Sequence, residues 1–503
     1  MKVVLINPNL ETNIYSAWSP LGILYLGTVL KENGFQVSLL DAAARNYSRE
    51  QILDWIKENE PDVVGLTVFT VSFLVSMELA KVIKTWNPNI KIVLGHYHPT
   101  IQAERIIEKY GDRVDFIVRG EGEYIFLELC EYLERHPDKI EGAEDIKGLT
   151  FKNSNGKITH TPDAPLISDL DTLPIPDRNL LEFDYKWNFA GFEFSNSKLT
   201  TVISSRGCPF NCSYCACSKF AKRRWRPRSP ENIVEELRII EELGYTEVNF
   251  VDDNFTLQPK RVIKLCELMR KEGIDLNWHT DGRVDQTSPN MLRWMSKVGC
   301  RSIWFGFESA NQRILDLYNK KTKVSQFDTA IKHTRKAGID LIVGLFMTGA
   351  PTETIEEVKN TIQYAVRSDI DVPFFNVVEI FPGVKFWDDY VNEGIINPYE
   401  KVTAQVGEEI REVERWETNT RVIDFLLDTK EKNKMLNEIQ HAYQSFFSSE
   451  RKMSYLLKML LRTIKSKFML NMALSIMKNF DDAFNAIATF RESKPRGFGT
   501  YDD

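Results

Sequence analysis

Three cysteines in the stretch RGCPFNCSYCAC, residues 206–217, are spaced as metal-binding thiols. Cys208, Cys212 and Cys215 follow the pattern C-x3-C-x2-C. A structural zinc site normally closes with a second ligand pair such as C-x2-C or H-x3-H, and no pair with such spacing stands elsewhere in the sequence. Three thiolates on a cubane iron-sulfur cluster leave one iron open, and an open iron can hold a substrate or cofactor. The spacing therefore favours such a cluster over a closed zinc site.

The other four cysteines lack metal-binding spacing. Cys217 stands next to the motif and is the alternative fourth ligand, which the prediction leaves uncoordinated. Cys130, Cys266 and Cys300 lie in apolar helical or turn segments. Free cysteine in such a setting behaves as a small hydrophobic residue, so we expect these three to be buried.

Composition limits the class of protein. The chain has 503 residues with a formal net charge of -7, which indicates a folded protein of two or three domains. Seven cysteines, an odd number, and an opening stretch MKVVLINPN that reads as a strand argue against a disulfide-rich secreted protein, so a cytoplasmic protein is expected. The negative charge gives no general attraction for nucleic acid. No apolar run approaches the roughly 18 residues that span a bilayer.

Residues 1–140 alternate short apolar runs with helical stretches. That rhythm predicts an α/β domain with a doubly wound parallel sheet, whose ligands bind outside the carboxyl ends of the strands. The predicted strands are KVVLIN, QVSLLD, VVGLTV, KIVLGH and DFIVRG. Glycines and small polar groups at their ends suit either a ligand site or ordinary strand-to-helix turns.

A proline-marked connector divides this domain from the rest of the chain. Residues 141–195 are predicted to be a linker with a hairpin at Asn155-Gly156, and residues 196–395 resume the alternation. Six strand candidates there predict a partial (β/α)6 barrel of the TIM type, with the working loops at the strand carboxyl ends. They are LTTVISS, EVNFVDDNF, DLNWHTDG, SIWFGFES, LIVGLFMTG and FNVVEIFPG. Residues 396–503 are predicted to form a helical C-terminal domain.

The cysteine motif, placed after the first strand of a six-fold strand-helix array, resembles the radical S-adenosylmethionine (SAM) superfamily. The segments RWRPRSPENIVEEL, VDDNFT, GFESAN, MTGAPTET and FPGVKFW resemble the later strand ends of that family, and the resemblance covers about residues 195–395. It implies a [4Fe-4S] cluster on Cys208, Cys212 and Cys215 whose open iron is chelated by SAM. It also implies reductive cleavage of SAM to a 5'-deoxyadenosyl radical.

The same resemblance implies which residues contact SAM. An aromatic ring between the second and third cysteines is expected near adenine, and the later strand ends near methionine, ribose and adenine. The implied SAM-binding residues are Tyr214, Asp252, Asp253, Asn254, Glu308, Ser309, Gly349 and Pro351. An arginine cluster nearby lacks the interleaved aromatics of a nucleic-acid surface, so one of its members is expected to bind the SAM carboxylate and the others to pair with surface acids. The cluster is Arg223, Arg224, Arg226 and Arg228.

Residues 1–140 resemble the cobalamin-binding domain of many radical SAM enzymes. The matching segments are SPLGILYLGTVLKENG, VGLTVFT, the histidine turn at residues 95–98 and IVRGEGEY. No histidine of the chain lies in the cobalt-ligating signature D-x-H-x-x-G, so cobalt is expected to lack that ligand. His98 aligns with the family's turn histidine, whereas His96 and Tyr97 replace small or rigid residues. The implied cobalamin-binding residues are Leu21, Gly22, Thr67, Val68, Phe69, Gly95, His98, Gly120, Glu121 and Gly122.

Together the two resemblances imply methylation of a carbon centre, because a radical made by hydrogen abstraction can accept the methyl group of methylcobalamin while the protein excludes water. The alternatives are oxidative cyclisation or rearrangement without methyl transfer and, from another class, a cobalamin-binding sensor with a structural cluster. The implied partners are a small-molecule or lipid-like substrate and an external electron donor such as a flavodoxin or ferredoxin. The sequence identifies neither the substrate nor a catalytic residue.

The tail segment 450–478 carries seven Lys or Arg, no acid after Glu450, and apolar residues at helical spacing. One interpretation is an interfacial helix on anionic lipid, which would place the protein peripherally at the membrane. The other, which we favour, is a helix packed on the barrel with a basic solvent face.

Overall fold

A computed structural model describes residues 1–9, 18–137, 140, 142–186, 188–189, 192–193, 197–406, 409–446 and 468. The described chain forms two compact units. The first contains Met1–Phe183 together with Phe381–Asn419, and the second contains Asp184–Ile380 together with the described residues from 420 onward. The polypeptide therefore contributes to the first unit twice.

The first unit is built on a seven-stranded sheet in the order β2-β1-β3-β4-β5-β6-β7. The strands are β1 (Lys2–Asn7), β2 (Gln36–Asp41), β3 (Val63–Thr67), β4 (Lys91–Gly95), β5 (Phe116–Val118), β6 (Leu149–Lys152) and β7 (Ile158–His160). The first five pair in parallel, which confirms the predicted sheet. The last two add antiparallel and form the hairpin predicted at Asn155-Gly156. The strand order changes direction between β1 and β3, where ligands of doubly wound sheets bind.

Helices cover both faces of this sheet. They are α1 (Leu21–Glu32), α2 (Arg49–Asn59), α3 (Phe73–Trp86), α4 (Tyr97–Tyr110) and α5 (Gly122–Arg135). Strand β1 shows why the sequence adopts this arrangement, because all four apolar residues of its interior, 3–6, are at most 2% exposed. A continuous apolar run of this kind is stable only where both faces of the sheet are covered.

The second unit contains six parallel strands in the order β10-β13-β14-β15-β16-β17, which confirms the predicted partial barrel. The described strands of this region up to the last barrel strand are β8 (Asn188–Phe189), β9 (Phe192–Glu193), β10 (Leu199–Val202), β11 (Ser205–Arg206), β12 (Arg226–Pro227), β13 (Glu247–Phe250), β14 (Asn277–Gly282), β15 (Cys300–Glu308), β16 (Leu341–Thr348) and β17 (Val372–Val377). The short strands pair antiparallel, β8 with β9 and β11 with β12.

Helices alternate with the barrel strands, and the longer ones pack on the outer side of the barrel. They are α6 (Cys217–Phe220), α7 (Pro230–Glu242), α8 (Pro259–Glu272), α9 (Pro289–Lys297), α10 (Gln312–Leu317), α11 (Phe327–Ala337) and α12 (Ile355–Arg367). Alternate strand residues such as Phe250, Trp278 and Phe305 join the helices in one apolar core. Successive side chains of a strand point to opposite faces, so the intervening residues face the barrel interior.

The chain then returns to the first unit with α13 (Lys385–Asn392) and the antiparallel hairpin β19 (Lys401–Val406) and β20 (Glu409–Glu414). Lys109 of α4 binds the carboxylates of Glu414 and Glu417 over 3.0 and 2.8 Å. Trp416 is 1% exposed and packs against Phe73, with 5.6 Å between ring centroids. The helical character predicted from residue 396 thus begins only after this hairpin.

The last described elements belong to the second unit. β21 (Thr420–Arg421) pairs with β18 (Glu379–Ile380), and α14 (Val422–Leu426) and α15 (Thr429–Phe446) follow. The tail segment 450–478 lies outside the described residues except for Phe468, which is 7% exposed and whose ring lies 5.9 Å from that of His279. Within the described chain, no helix combines the length and hydropathy needed to cross a membrane.

Candidate active site

The loop that carries the cysteine motif leaves the first barrel strand through a tight turn at Gly207. Gly207 has φ +85°, and a Cβ atom there would lie 2.1 Å from the carbonyl oxygen of Arg224. Its backbone N–H donates to Asp253 Oδ2 over 2.8 Å. Among the amino acids, glycine alone tolerates both this left-handed backbone and so close an approach. Gly207 therefore fixes the point at which the loop begins.

The far side of the loop is tied to the segment that follows the fourth barrel strand. The Ser213 N–H donates to the Tyr318 carbonyl oxygen over 2.9 Å. The Asn319 side chain donates to the Asn211 carbonyl oxygen over 2.7 Å. Backbone and side-chain hydrogen bonds thus join the cysteine loop to a segment that is more than 100 residues away in the sequence.

Arg283 supports the same loop and was missed by sequence reasoning. Its guanidinium lies 3.7 Å from the centroid of the Phe210 ring, an attractive cation–π arrangement. It also binds Asp285 through two 3.0 Å hydrogen bonds and donates to the Lys320 carbonyl oxygen over 2.8 Å. A lone arginine after a strand carries no sequence signal for such a role.

The three motif cysteines are free thiols whose setting fits a [4Fe-4S] cluster. Burial raises the pKa of Cys208, and it raises the pKa of Cys215 to about 11. A coordinating metal keeps such a thiol deprotonated at neutral pH. In the described part of the chain, no three ligating side chains converge on one metal ion. A cubane does not require this convergence, because each of its thiolates binds a different iron.

The remaining cysteines lie inside the protein. Cys217 is 7% exposed at the start of α6, and burial raises its pKa. Cys130, Cys266 and Cys300 are at most 1% exposed, which confirms the prediction that they are buried.

Asp252 and Asp253 hold the start of the cysteine loop. Asp252 accepts hydrogen bonds from the Ser204 N–H over 2.7 Å and from the hydroxyls of Ser204 and Ser205 over 2.6 and 2.5 Å. Both carboxylate oxygens of Asp252 therefore have protein partners, and its burial raises its pKa. Asn254 differs, because its buried Oδ1 has no hydrogen-bond partner among the described residues, while its Nδ2 lies 4.0 Å from Cys208 Sγ. An unsatisfied buried acceptor next to a cluster cysteine fits a ligand that donates an N–H.

A buried polar triad lies at the end of the fourth barrel strand. Lys320 Nζ lies 2.6 Å from Glu308 Oε1, and the Tyr214 hydroxyl donates to the same oxygen over 3.1 Å. Glu308 has a left-handed φ of +62°. Sequence reasoning selected Tyr214 and Glu308 and missed Lys320, which no spacing distinguishes from the exposed Lys321 beside it.

The other predicted SAM contacts have mainly backbone or structural partners. Ser309 is fully buried, and its hydroxyl lies 3.2 Å from Thr361 Oγ1. Gly349 has φ +78°, and its N–H donates to Glu353 Oε2 over 2.7 Å. The turn also contains Pro351, which is buried. Their roles toward SAM stay predictions.

One member of the arginine cluster pairs inside the protein rather than at its surface. Arg228 is 3% exposed and forms an ion pair with Glu236, which is fully buried. Its Nε donates to Asn232 over 2.7 Å. Arg228 thus anchors the start of α7, which differs from the surface pairing expected for these arginines.

At the carboxyl edge of the first unit's sheet, apolar side chains are open to solvent. Phe69 is 44% exposed and Val71 is 55% exposed, directly after β3. The His96 ring lies 3.9 Å from the Phe69 ring, and His96 Nδ1 is buried without a hydrogen-bond partner among the described residues. An apolar edge with an unsatisfied nitrogen next to the switch point of the sheet fits a large flat cofactor such as cobalamin.

His98, the predicted cobalamin residue of this turn, lies beneath that edge. It is 1% exposed, its Nδ1 lies 3.1 Å from Thr70 Oγ1, and its ring lies 4.5 Å from Phe73 and 6.0 Å from Trp416. Burial lowers the pKa of His98 to about 3, so the ring is neutral at physiological pH. The structure therefore places His96, and not His98, against the exposed Phe69.

The other predicted cobalamin residues surround the same edge. The Val68 N–H donates to the Gly95 carbonyl oxygen over 3.0 Å and thereby joins the ends of β3 and β4. Gly120 has φ +85°, and its N–H donates to Thr100 Oγ1 over 3.1 Å. Glu121 accepts from the Ile167 N–H over 2.8 Å. The remaining members are Leu21, Gly22, Thr67 and Gly122, at the ends of α1, β3 and α5.

Known proteins match both units of the chain. Residues 202–365 match the radical SAM superfamily, and residues 10–130 match the B12 binding domain. An uncharacterized methyltransferase of Pyrococcus horikoshii is 36% identical over 393 residues, covering 77% of this chain and 83% of the relative. The anaerobic magnesium-protoporphyrin IX monomethyl ester cyclase of Rubrivivax gelatinosus is 27% identical over 464 residues, covering 90% of this chain and 79% of the relative.

A solved structure shares the fold. The radical S-adenosylmethionine methyltransferase TsrM from Kitasatospora setae superposes with a TM-score of 0.66 at 20% identity, covering 80% of this chain and 81% of that one. A chain with these two domains and this cysteine loop is a radical SAM enzyme. It belongs to the cobalamin-binding radical SAM family, whose cofactors are a [4Fe-4S] cluster, SAM and cobalamin.

Proposed function

We propose that this protein is a cobalamin-dependent radical SAM methyltransferase that methylates a carbon centre of a small-molecule substrate. The observation that carries the proposal is the similarity to the methyltransferase of Pyrococcus horikoshii, which spans most of the chain. When bound, the cofactors supply the reductive cleavage of SAM and a transferable methyl group. An external one-electron donor of the flavodoxin or ferredoxin type provides the electrons.

In this proposal Cys208, Cys212 and Cys215 hold the cluster. The loop that carries them is fixed at Gly207 and at Asn211 by the contacts described above, so the three thiols are preorganised. Cys217 is left out because it lies outside the C-x3-C-x2-C spacing.

The predicted SAM-binding residues have two roles in this proposal. Asn254 and Glu308 face SAM, supported by the unsatisfied Asn254 Oδ1 beside Cys208 and by the Tyr214 and Lys320 contacts of Glu308. Asp252 positions the loop, because its two carboxylate oxygens are occupied by Ser204 and Ser205. The exposed edge around Phe69 and His96 in the first unit holds cobalamin.

Product analysis tests the proposal. Anaerobically reconstituted protein with cobalamin, SAM, a reductant and an extract fraction containing the substrate should form S-adenosylhomocysteine together with 5'-deoxyadenosine. Formation of neither product would contradict an enzymatic role.

A second candidate is radical cyclisation without methyl transfer. It is supported by the similarity to the Rubrivivax gelatinosus cyclase, which covers more of this chain than the methyltransferase match does. In that case the same assay should yield 5'-deoxyadenosine without S-adenosylhomocysteine.

A further inference from the structure

The segment directly after the cysteine motif carries several basic side chains at the protein surface. The exposed ones are Lys219, Lys222, Arg223 and Arg224. The next two arginines differ, because Arg226 and Arg228 are only 9% and 3% exposed. The chain as a whole has a formal net charge of -7. A concentration of positive charge in one exposed segment therefore contrasts with the rest of the molecule.

Two of these side chains have no partner within the described residues. Neither Arg223 nor Arg224 forms a side-chain hydrogen bond, ion pair or cation–π contact there. This differs from the pairing with surface acids that the sequence predicts for them. The guanidinium group stays protonated at any physiological pH. Both charges are therefore available to a binding partner.

The two arginines lie beside the cysteine loop. The Arg224 carbonyl oxygen is the atom that a Cβ atom at Gly207 would approach to 2.1 Å, and Gly207 directly precedes Cys208. The Arg223 N–H donates to the Ser218 carbonyl oxygen over 3.0 Å, which ties it to the end of the motif segment. Cys208 itself is only partly buried. The cysteine loop thus comes close to the surface next to the two exposed arginines.

We propose that Arg223 and Arg224 form the docking surface for an acidic protein that carries one electron to the cluster. The inference rests on the proposed function, because it names the surface at which the electron donor of that reaction binds. One electron leaves the carrier and enters the cluster, and no bond forms or breaks. Electron transfer slows steeply with the distance between two redox centres, so the carrier has to bind next to the cysteine loop.

The charge of this surface selects the partner. A local positive patch attracts an acidic protein and raises its association rate. The net charge of -7 repels an acidic protein from the molecule in general. Attraction confined to Arg223 and Arg224 would therefore guide such a carrier to the cysteine loop and away from other surfaces.

Binding of acidic carriers tests the surface without turnover. Full-length protein, reconstituted anaerobically with its cluster and cobalamin, is titrated calorimetrically at low ionic strength with an oxidised bacterial flavodoxin and, separately, with an oxidised bacterial ferredoxin. We expect at least one carrier to bind the parent protein at least tenfold more tightly than the double variant Arg223→Glu/Arg224→Glu. Arg223→Gln/Arg224→Gln, which removes the charge without reversing it, serves as a second variant if the first does not fold.

The matched control is Lys332→Glu/Lys336→Glu, which makes the same change in net charge. Both lysines are exposed and have no side-chain partner among the described residues. They lie on α11, whose last turn leads into the amino end of β16, whereas the cysteine loop follows the carboxyl end of β10. This control should bind the carrier within twofold of the parent protein. Iron content and circular dichroism establish that each variant keeps its cluster and fold.

Salt dependence gives a second measurement of the same surface. Raising the ionic strength from about 0.01 M to about 0.15 M shortens the Debye length from about 30 Å to about 8 Å. Carrier binding to the parent protein should weaken over this range, and binding to the arginine variant should change little.

SAM cleavage distinguishes docking from a role in SAM binding. With the reduced carrier as electron source, formation of 5'-deoxyadenosine should fall at least tenfold in the arginine variant. With reduced methyl viologen, a small molecule that needs no docking surface, it should be unchanged. Loss of SAM binding would instead lower the rate with both reductants.

Three results overturn the proposal: no binding of either carrier to the parent protein, equal weakening in the lysine control, or equal loss of 5'-deoxyadenosine with both reductants. Failure of methyl transfer would be a separate result, because the titration needs no reaction. Carrier binding that depends on the two arginines, without S-adenosylhomocysteine formation, would keep the docking surface and replace the proposed function. Methyl transfer with unchanged carrier binding in the arginine variant would do the reverse.

Discussion

Lys320 Nζ lies 2.6 Å from Glu308 Oε1, and the two side chains are only 6% and 10% exposed. A buried ion pair of this kind contributes little more to folding stability than an apolar pair would, but removal of one partner leaves an uncompensated buried charge that destabilises the fold. The Tyr214 hydroxyl donates to the same Glu308 oxygen and connects the pair to the cysteine loop. The pair is therefore both a structural link and part of the proposed SAM site.

Lys320→Met should destabilise the second unit by about 3 kcal/mol, because Glu308 loses its counter-charge in a buried setting. The double variant Lys320→Met/Glu308→Gln should recover most of that loss. Lys321→Met, at the exposed neighbouring position, should have little effect. Anaerobic urea unfolding measures these differences, and equal stability of the Lys320 and Lys321 variants would contradict the buried-pair argument.

Cluster content tests the ligand assignment. Reconstituted protein should hold about four irons per chain, and alanine at Cys208, Cys212 or Cys215 should remove the cluster and all 5'-deoxyadenosine formation. Cys217→Ala should retain both. Iron and sulfide analysis measures the cluster content of each variant. Loss of the cluster in Cys217→Ala alone would refute the three-cysteine assignment.

Gly207→Ala should disrupt the cysteine loop through a clash as well as backbone strain. The matched control is Gly244→Ala, because Gly244 has a similar φ of +78° but nothing within 4 Å of an added Cβ atom. Gly244→Ala should lower the free energy of unfolding by about 1 kcal/mol, because alanine is strained in the left-handed backbone. Gly207→Ala should lower the free energy of unfolding clearly more than Gly244→Ala does, and it should also lower the iron content. Similar stability and iron content in the two variants would show that the 2.1 Å approach to Arg224 relaxes freely.

Asp281 should make the stability of the second unit depend on pH. Its folded-state pKa is about 7, against about 3.9 for an unfolded chain. Between these values the folded carboxyl keeps a proton that the unfolded one has lost, so stability falls as the pH rises from about 4 to 7 and then levels off. Burial is the main cause of the raised pKa, and the charges of Asp252 and Glu308 add to it.

Asp281→Asn removes this titration. Relative to the parent protein, the variant should gain stability progressively from pH 5 to about pH 7, with little further change above that. Urea unfolding at several pH values measures the difference, with Asp275→Asn as control. A difference that does not change with pH would mean that Asp281 titrates normally.

The tail should show no preference for anionic membranes. Phe468 is buried and its ring lies against that of His279, which supports packing on the barrel over an interfacial helix. Sedimentation with anionic and neutral vesicles at low salt should therefore give equal, negligible binding. Strong binding to anionic vesicles that is lost when Lys458, Arg462 and Lys465 become Glu would support the membrane interpretation instead, since salt-sensitive attraction of about 1 kcal/mol per basic residue is expected there.

The sequence by itself determined the elements and the cysteine motif. Parallel strands buried on both faces must be continuous apolar runs, so KVVLIN and LIVGLFMTG could be recognised directly. The Asn155-Gly156 hairpin followed from local turn chemistry. The C-x3-C-x2-C spacing is likewise local, because all three thiols lie in one loop. Each of these features depends on residues that are near one another in the chain.

Only the tertiary structure decided which polar groups are partnered. The Ser204 and Asp252 side chains meet across 48 residues, and Asn319 reaches Asn211 across 108. The return of Phe381–Asn419 to the first unit is also long-range, as are the burial of His98 under Trp416 and the absence of a described partner for Asp281. Sequence pattern gives the face of a strand on which a side chain lies. The groups that surround a side chain depend on how distant segments pack, and that packing determines which polar groups have a protein partner.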